Sequence, residues 1–182
     1  MNLFRLFGLF AAISGWITIF VSISYNPWFV FTRDAFSDLG GERTLYPWIY
    51  NYGLIITGFI IILYSIVQLY DSVNRVEAFG SGYTSIMGIF LMLIGIFPSG
   101  TRPHIFVSTW FFIQGDLAII IWGIGMILRG LKKLGVFILV LGLVSPIIGF
   151  GVDWPSAATA EAFGVIVLDI WILAMLKIHK II

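Results

Sequence analysis

Gly95-Ile96-Phe97-Pro98-Ser99-Gly100-Thr101-Arg102-Pro103-His104 is a short polar turn between two long apolar runs. It carries two prolines, the only arginine between residues 75 and 129, and one of the chain's two histidines. Upstream, residues 83–98 are nearly uncharged. Downstream, Ile105–Leu128 is apolar apart from a few polar side chains. Crossing about 30 Å of hydrocarbon takes about 20 such residues in a helix. The turn therefore reads as the link between two transmembrane helices.

The same pattern extends in both directions. Apolar segments recur at about 6–24, 48–69, 83–98, 105–128, 134–152 and 160–176. The expected fold is all-α, a single six-helix transmembrane bundle over residues 1–182. Runs this long lack the alternation of barrel strands, and open strand edges cannot face lipid. Composition agrees: 60% of residues are hydrophobic and 10% charged, against about 25% charged in soluble domains. The first run is too long for the apolar core of a cleaved signal peptide, so it is expected to stay as a span.

Lysine and arginine set the orientation. With the N-terminus inside, the inner segments hold Arg5, Arg75, Arg129, Lys132, Lys133, Lys177 and Lys180, and the outer loops hold Arg33, Arg43 and Arg102. Both termini are expected in the cytoplasm of a multi-pass protein of the cell membrane. The inner loops, Asp71–Gly82 and Arg129–Lys133, read as solvated connectors. The outer loop Tyr25–Pro47 is long and carries Asn26-Pro27-Trp28, read as interfacial, then Asp34, Asp38 and Glu42.

Small residues mark helix contacts. Asn51, Gly58 and Ser65 recur every seven residues, as do Gly88 and Gly95, and Gly135, Gly142 and Gly149. Each set lines one seam where backbones approach closely. Pro146 is expected to kink the fifth span.

Net charge of +1 gives no case for nucleic acid. The absence of cysteine excludes thiolate-held iron–sulfur clusters and covalently attached haem. A haem held by two histidines is not expected either, since His104 and His179 fall on opposite sides of the membrane. No phosphate-binding loop, H-E-x-x-H or G-x-S-x-G occurs.

The polar residues at the outer ends of the spans collect into a candidate pocket. His104, Asp38 and Glu161 are the candidate catalytic residues, with Asn51, Ser108 and Arg102 as candidate binding residues. A histidine base flanked by carboxylates is the chemistry for activating water on a lipid, and the same trio has the donors for a divalent metal. The bland alternatives are strong. Asp38 in Ser37-Asp38-Leu39-Gly40 fits a turn, Glu161 fits a helix start, and Asn51 fits an interhelical hydrogen bond. Asp116 and Asp169 fall near mid-span, where acids face a bundle interior or a cavity. Glu161 and Asp169 lie about 80° apart around their helix, close enough to border one cavity, whereas His104 and Asp116 are about 120° apart.

The chain resembles the membrane family called domain of unknown function 998. The resemblance rests on Ser37-Asp38-Leu39-Gly40, on Asn51-Tyr52-Gly53-Leu54-Ile55 with Gly58, on Gly95-Ile96-Phe97-Pro98 followed by His104, and on Glu161. It covers nearly the whole chain and implies a six-span helical bundle. It singles out Asp38, Asn51, His104 and Glu161, and brings no established activity. The chain departs at Tyr52, where a small apolar residue is common. Three functions are carried forward: a hydrolase-like or binding protein for a membrane lipid, a non-catalytic lipid-binding or accessory protein, and a small proton-coupled transporter using Asp116 and Asp169.

Overall fold

The computed structural model describes residues 3–177; His179 and Lys180 lie outside the described residues. Six helices run α1 Phe7–Ser24, α2 Pro47–Asp71, α3 Arg75–Ile96, α4 His104–Leu128, α5 Lys132–Gly151 and α6 Ala157–Leu176. All six are long and apolar enough to cross a membrane, at 18 to 25 residues each. That is about 27–37 Å of helix at 1.5 Å per residue. The protein is an integral, multi-pass membrane protein.

Five helix boundaries fall close to expectation. The third does not, because α3 begins at Arg75 rather than near Tyr83. Asn74 caps it, its side chain accepting from the Glu77 amide at 2.9 Å. Asn74-x-x-Glu77 is a capping-box spacing, so the signal stood in the sequence, outweighed by local polarity. The stretch 71–82 is therefore not a solvated connector. Glu77 is fully buried. It takes the Val73 amide at 2.8 Å and faces the Arg129 guanidinium at 3.5 Å. Gly125 leaves it room, since a Cβ there would lie 2.6 Å from Glu77 Cγ.

Consecutive helices are neighbours, and the α2–α3, α3–α4 and α4–α5 pairings are the most extensive. Glycine sets the first of these. A Cβ on Gly88 would lie 2.7 Å from the Gly58 carbonyl oxygen, and one on Gly95 would collide with the carbonyl oxygen of Asn51. Gly135 and Gly142 serve the α4–α5 seam, meeting Ile127 and the Ile119–Ile120 pair. Gly149 departs from its series: only Phe163 comes near, at 4.0 Å.

The seam yields a paired prediction. Gly88→Ala forces two backbones apart and is expected to cost about 1–3 kcal/mol. Gly82, on the same helix, faces open space, so Gly82→Ala is expected to be neutral or stabilising by up to about 1 kcal/mol. Thermal melting in one detergent compares them, and equal melting temperatures would dismiss the seam.

The two ends of the bundle differ. Arg5 pairs with Asp71 at 2.9 Å on the face that also carries the Glu77–Arg129 pair, Lys132, Lys133 and Lys177. The opposite face is covered by the α1–α2 loop, which folds inward as a 3-10 turn, Phe36–Gly40. Phe36 and Leu39 are buried. Helix α6 touches α1, α4 and this turn only lightly, and cavities lie along both its sides.

Candidate functional site

The site is built on the turn Phe36–Gly40. Three consecutive features of α6 hold the loop that contains it. Ser156, the α6 cap, donates to the Phe31 carbonyl at 2.6 Å. The Ala158 amide donates to the Asp34 carbonyl at 3.0 Å. Glu161 Oε2 accepts from the Phe36 amide at 2.7 Å. Asp34 itself is paired with Arg33 at 2.9 Å. The guanidinium hydrogen bond, together with the Val30 amide, holds its carboxyl below the usual carboxylate range.

Asp38 grips the turn from inside. Oδ2 accepts from the Ala35 amide at 3.0 Å, and Oδ1 accepts from the Ser99 hydroxyl at 3.0 Å. The second bond ties the first loop to the α3–α4 turn. Asn51 holds the same element from α2, Nδ2 donating to the Gly40 carbonyl at 3.1 Å. Gly40 is required there, since a Cβ would collide with Asn51 Oδ1. That oxygen is buried with no hydrogen-bond partner among the described residues.

His104 is placed differently. It is buried at the start of α4, and Nδ1 lies 2.9 Å from the Phe97 carbonyl oxygen. A carbonyl only accepts, so in this contact Nδ1 carries a proton and donates it. The side chain thereby closes the α3–α4 turn. Ser108 hydrogen-bonds back to the His104 carbonyl at 2.8 Å, a local helix contact. Arg102 is exposed.

Asp38, Asn51 and Glu161 thus converge on one turn, and His104 sits on the neighbouring one. The trio His104, Asp38 and Glu161 does not form a metal cradle: no group of three metal-ligating side chains occurs among the described residues. The physical reason is that the carboxylates are turned onto backbone amides and a serine, and the imidazole onto a carbonyl.

Beneath the turn lies a cavity of ≈ 100 Å³ between α1, α2, α3, α4 and α6, several times the space one water needs. Its polar lining is Ser37, Tyr50, Thr57, Ser108, Glu161 and Asp169. The remaining walls are largely aliphatic and aromatic, including Leu54, Leu91, Ile94 and Phe111. Glu161 and Asp169 share it, as their angular spacing predicts. His104 does not line it. Along α6 the cavity runs from Glu161 to Ile172, about 16 Å of helix.

The intramembrane acids each have a donor. Asp169 Oδ2 accepts from the Trp16 indole at 2.8 Å, and Asp116 Oδ1 accepts from the Ser145 hydroxyl at 2.6 Å. Ser145 lies in the middle part of α5, at the depth of Asp116. Trp16 was not legible as a partner, being one aromatic among many.

Residues 9–177 match the family described as protein of unknown function, DUF998. The chain belongs to this family. The match takes in the loop, the turn, Asp38, Asn51, His104 and Glu161, so it spans all six helices with their cover. No curated protein and no solved structure matches the chain.

Sequence reasoning missed Asn26. It is 1% exposed and makes four hydrogen bonds. Nδ2 donates to the Ser22 and Leu45 carbonyls at 2.8 and 3.2 Å. Oδ1 accepts from the Leu45 amide at 2.8 Å and the Trp28 indole at 3.0 Å. Asn26 therefore ties both ends of the α1–α2 loop together. In the sequence, Asn26-Pro27-Trp28 reads as an interfacial segment, and nothing there marks the asparagine as a tie.

Proposed function

We propose that this protein binds a membrane amphiphile in the cavity under the 3-10 turn, without acting on it chemically. The observation that carries this reading is the cavity itself, polar where Ser37, Tyr50 and Glu161 meet beneath the turn and apolar along most of its length. A polar end and an apolar length are the two surfaces that the head and the tail of an amphiphile would meet. Among the described residues, no lysine, arginine or histidine lines it. A phosphate head would meet no counter-charge and would face the Glu161 carboxyl, so the reading favours a hydroxyl- or amine-bearing head without phosphate. Catalysis is left out because a base must reach the substrate, and His104 is turned onto the Phe97 carbonyl. Asp38 and Asn51 then act as braces of the cover. With both termini in the cytoplasm, as the distribution of lysine and arginine argues, the head site faces the outer leaflet of the cell membrane.

The test uses monooleoylglycerol, which has one chain and hydroxyl donors, with the purified full chain. Glu161→Gln keeps an acceptor for the Phe36 amide and removes the carboxylate. A hydrogen bond to a charged group is worth about 1.5–3 kcal/mol, so binding is expected to weaken about ten- to a hundredfold. Wild-type affinity in this variant would remove Glu161 from the head site, and hydrolysis of the probe by wild type would restore the enzyme reading.

A further inference from the structure

Helix α6 has a second cavity on its other side. It measures ≈ 250 Å³ and lies between α4, α5 and α6. Its lining includes Thr109, Asp116, Ser145, Pro146, Gly149 and Phe150. Phe150 is 77% exposed, so this cavity reaches the lipid-facing surface. Four residues line both cavities: Ser108, Phe112, Glu161 and Leu168. Ser108 and Glu161 stand near the end covered by the loop, and Phe112 and Leu168 lie one or two turns further along their helices. The Phe112 ring rests against Gly164, where any Cβ would collide with it. Leu168 lies over Gly115, whose Cβ would be 2.9 Å from it. Two apolar slots thus descend either side of a thin α4–α6 partition, with Glu161 bordering both. Each slot also contains one intramembrane aspartate held by one donor, Asp169 by Trp16 and Asp116 by Ser145.

We infer that the ligand is a two-chain lipid that straddles this partition, its head at Glu161 and Ser108 and one hydrocarbon tail in each slot. The inference rests on the amphiphile-binding reading and specifies its ligand. A single chain leaves the larger slot to water or stray lipid. A second chain removes that much more apolar surface from competition, from the same head position. The class that fits is a phosphate-free lipid with two chains and a small hydroxyl- or amine-bearing head.

Two glycines make the slots separately addressable. Gly149 lines the second cavity, with only Phe163 near its Cβ position, at 4.0 Å. Gly15 lines the first, with only Thr57 near, at 3.8 Å. A Cβ fits at either position, and a leucine there is expected to project into its slot and obstruct it. The experiment measures equilibrium binding of dioleoylglycerol and monooleoylglycerol to the purified full chain, its Gly149→Leu variant and its Gly15→Leu variant. Wild type is expected to bind the two-chain lipid at least about tenfold more tightly. Gly149→Leu is expected to bring dioleoylglycerol down to the level of monooleoylglycerol and to leave the latter within about twofold. Gly15→Leu weakens both. Unchanged dioleoylglycerol binding in Gly149→Leu overturns the two-slot inference and leaves single-chain binding standing. If neither lipid binds wild type, the amphiphile reading falls with it. Should a variant misfold, a dioleoylglycerol with photoreactive tails decides on wild type. Adducts on both α1 and α5 support the inference, and adducts confined to the α1 side overturn it.

Discussion

Arg129→Leu is expected to be among the most damaging single substitutions in this chain, costing about 3–5 kcal/mol. Glu77 is fully buried, and the guanidinium 3.5 Å away is its only counter-charge among the described residues. Removing it leaves a carboxylate held by the Val73 amide alone, in a helix junction packed closely enough that a Cβ on Gly80 or Gly125 would lie within 3 Å of a neighbouring side chain. The desolvation cost of an unpaired buried ion then stands uncompensated. For a chain of this length the loss corresponds to a melting shift of roughly 6–20 °C. The partner experiment is the double variant Glu77→Leu with Arg129→Leu. Replacing a whole buried pair by apolar residues is often neutral, so the double variant is expected to recover much of the loss. A single variant that melts with wild type would show that the pair carries no stability.

Asn26→Ala is expected to cost about 2–6 kcal/mol, from four buried hydrogen bonds at about 0.5–1.5 kcal/mol each. Its effect should also be local. The substitution orphans the Leu45 amide and the Trp28 indole at the two ends of the α1–α2 loop, and touches no helix–helix seam. Amide hydrogen exchange reads this directly: residues 25–45 lose protection while the Gly58–Gly88 region keeps it. If the cover loosens, the cavity beneath it opens, and monooleoylglycerol should dissociate faster from Asn26→Ala than from wild type. Loss of protection spread evenly over α2 and α3 would instead make Asn26 a general stability residue.

The candidate site was legible in part. Asp38, Asn51 and Glu161 stood out as polar residues at span ends, and they do meet. What they meet is the backbone of one turn, which no spacing in the sequence announces. His104 stood out for the same reasons and belongs to the adjoining turn, because a short connection after α3 lets the imidazole reach back seven residues to Phe97. Glu77 was hidden by its surroundings: a polar run at a helix start looks like a loop until the half-buried Arg129 is found opposite. Gly58 on α2, Gly88 and Gly95 on α3, and Gly135 and Gly142 on α5 were read correctly as seam residues. Gly149 continues the repeat numerically and faces a cavity, since the α4–α5 seam has diverged by that point.

By itself the sequence determined that the chain is a bundle of six membrane-crossing helices with few charges to spare. Length and hydrophobicity of each segment decide that, and both are local properties read against the thickness of a bilayer. Only the tertiary structure decided how the polar residues pair and that α6 stands between two cavities. Phe36 meets Glu161 across 125 positions, Ser99 meets Asp38 across 61, and Trp16 meets Asp169 across 153. Contacts of that range depend on which helix faces which. In a membrane that choice is made by close packing of small residues rather than by burial of apolar surface, because the lipid is as apolar as the side chains it surrounds.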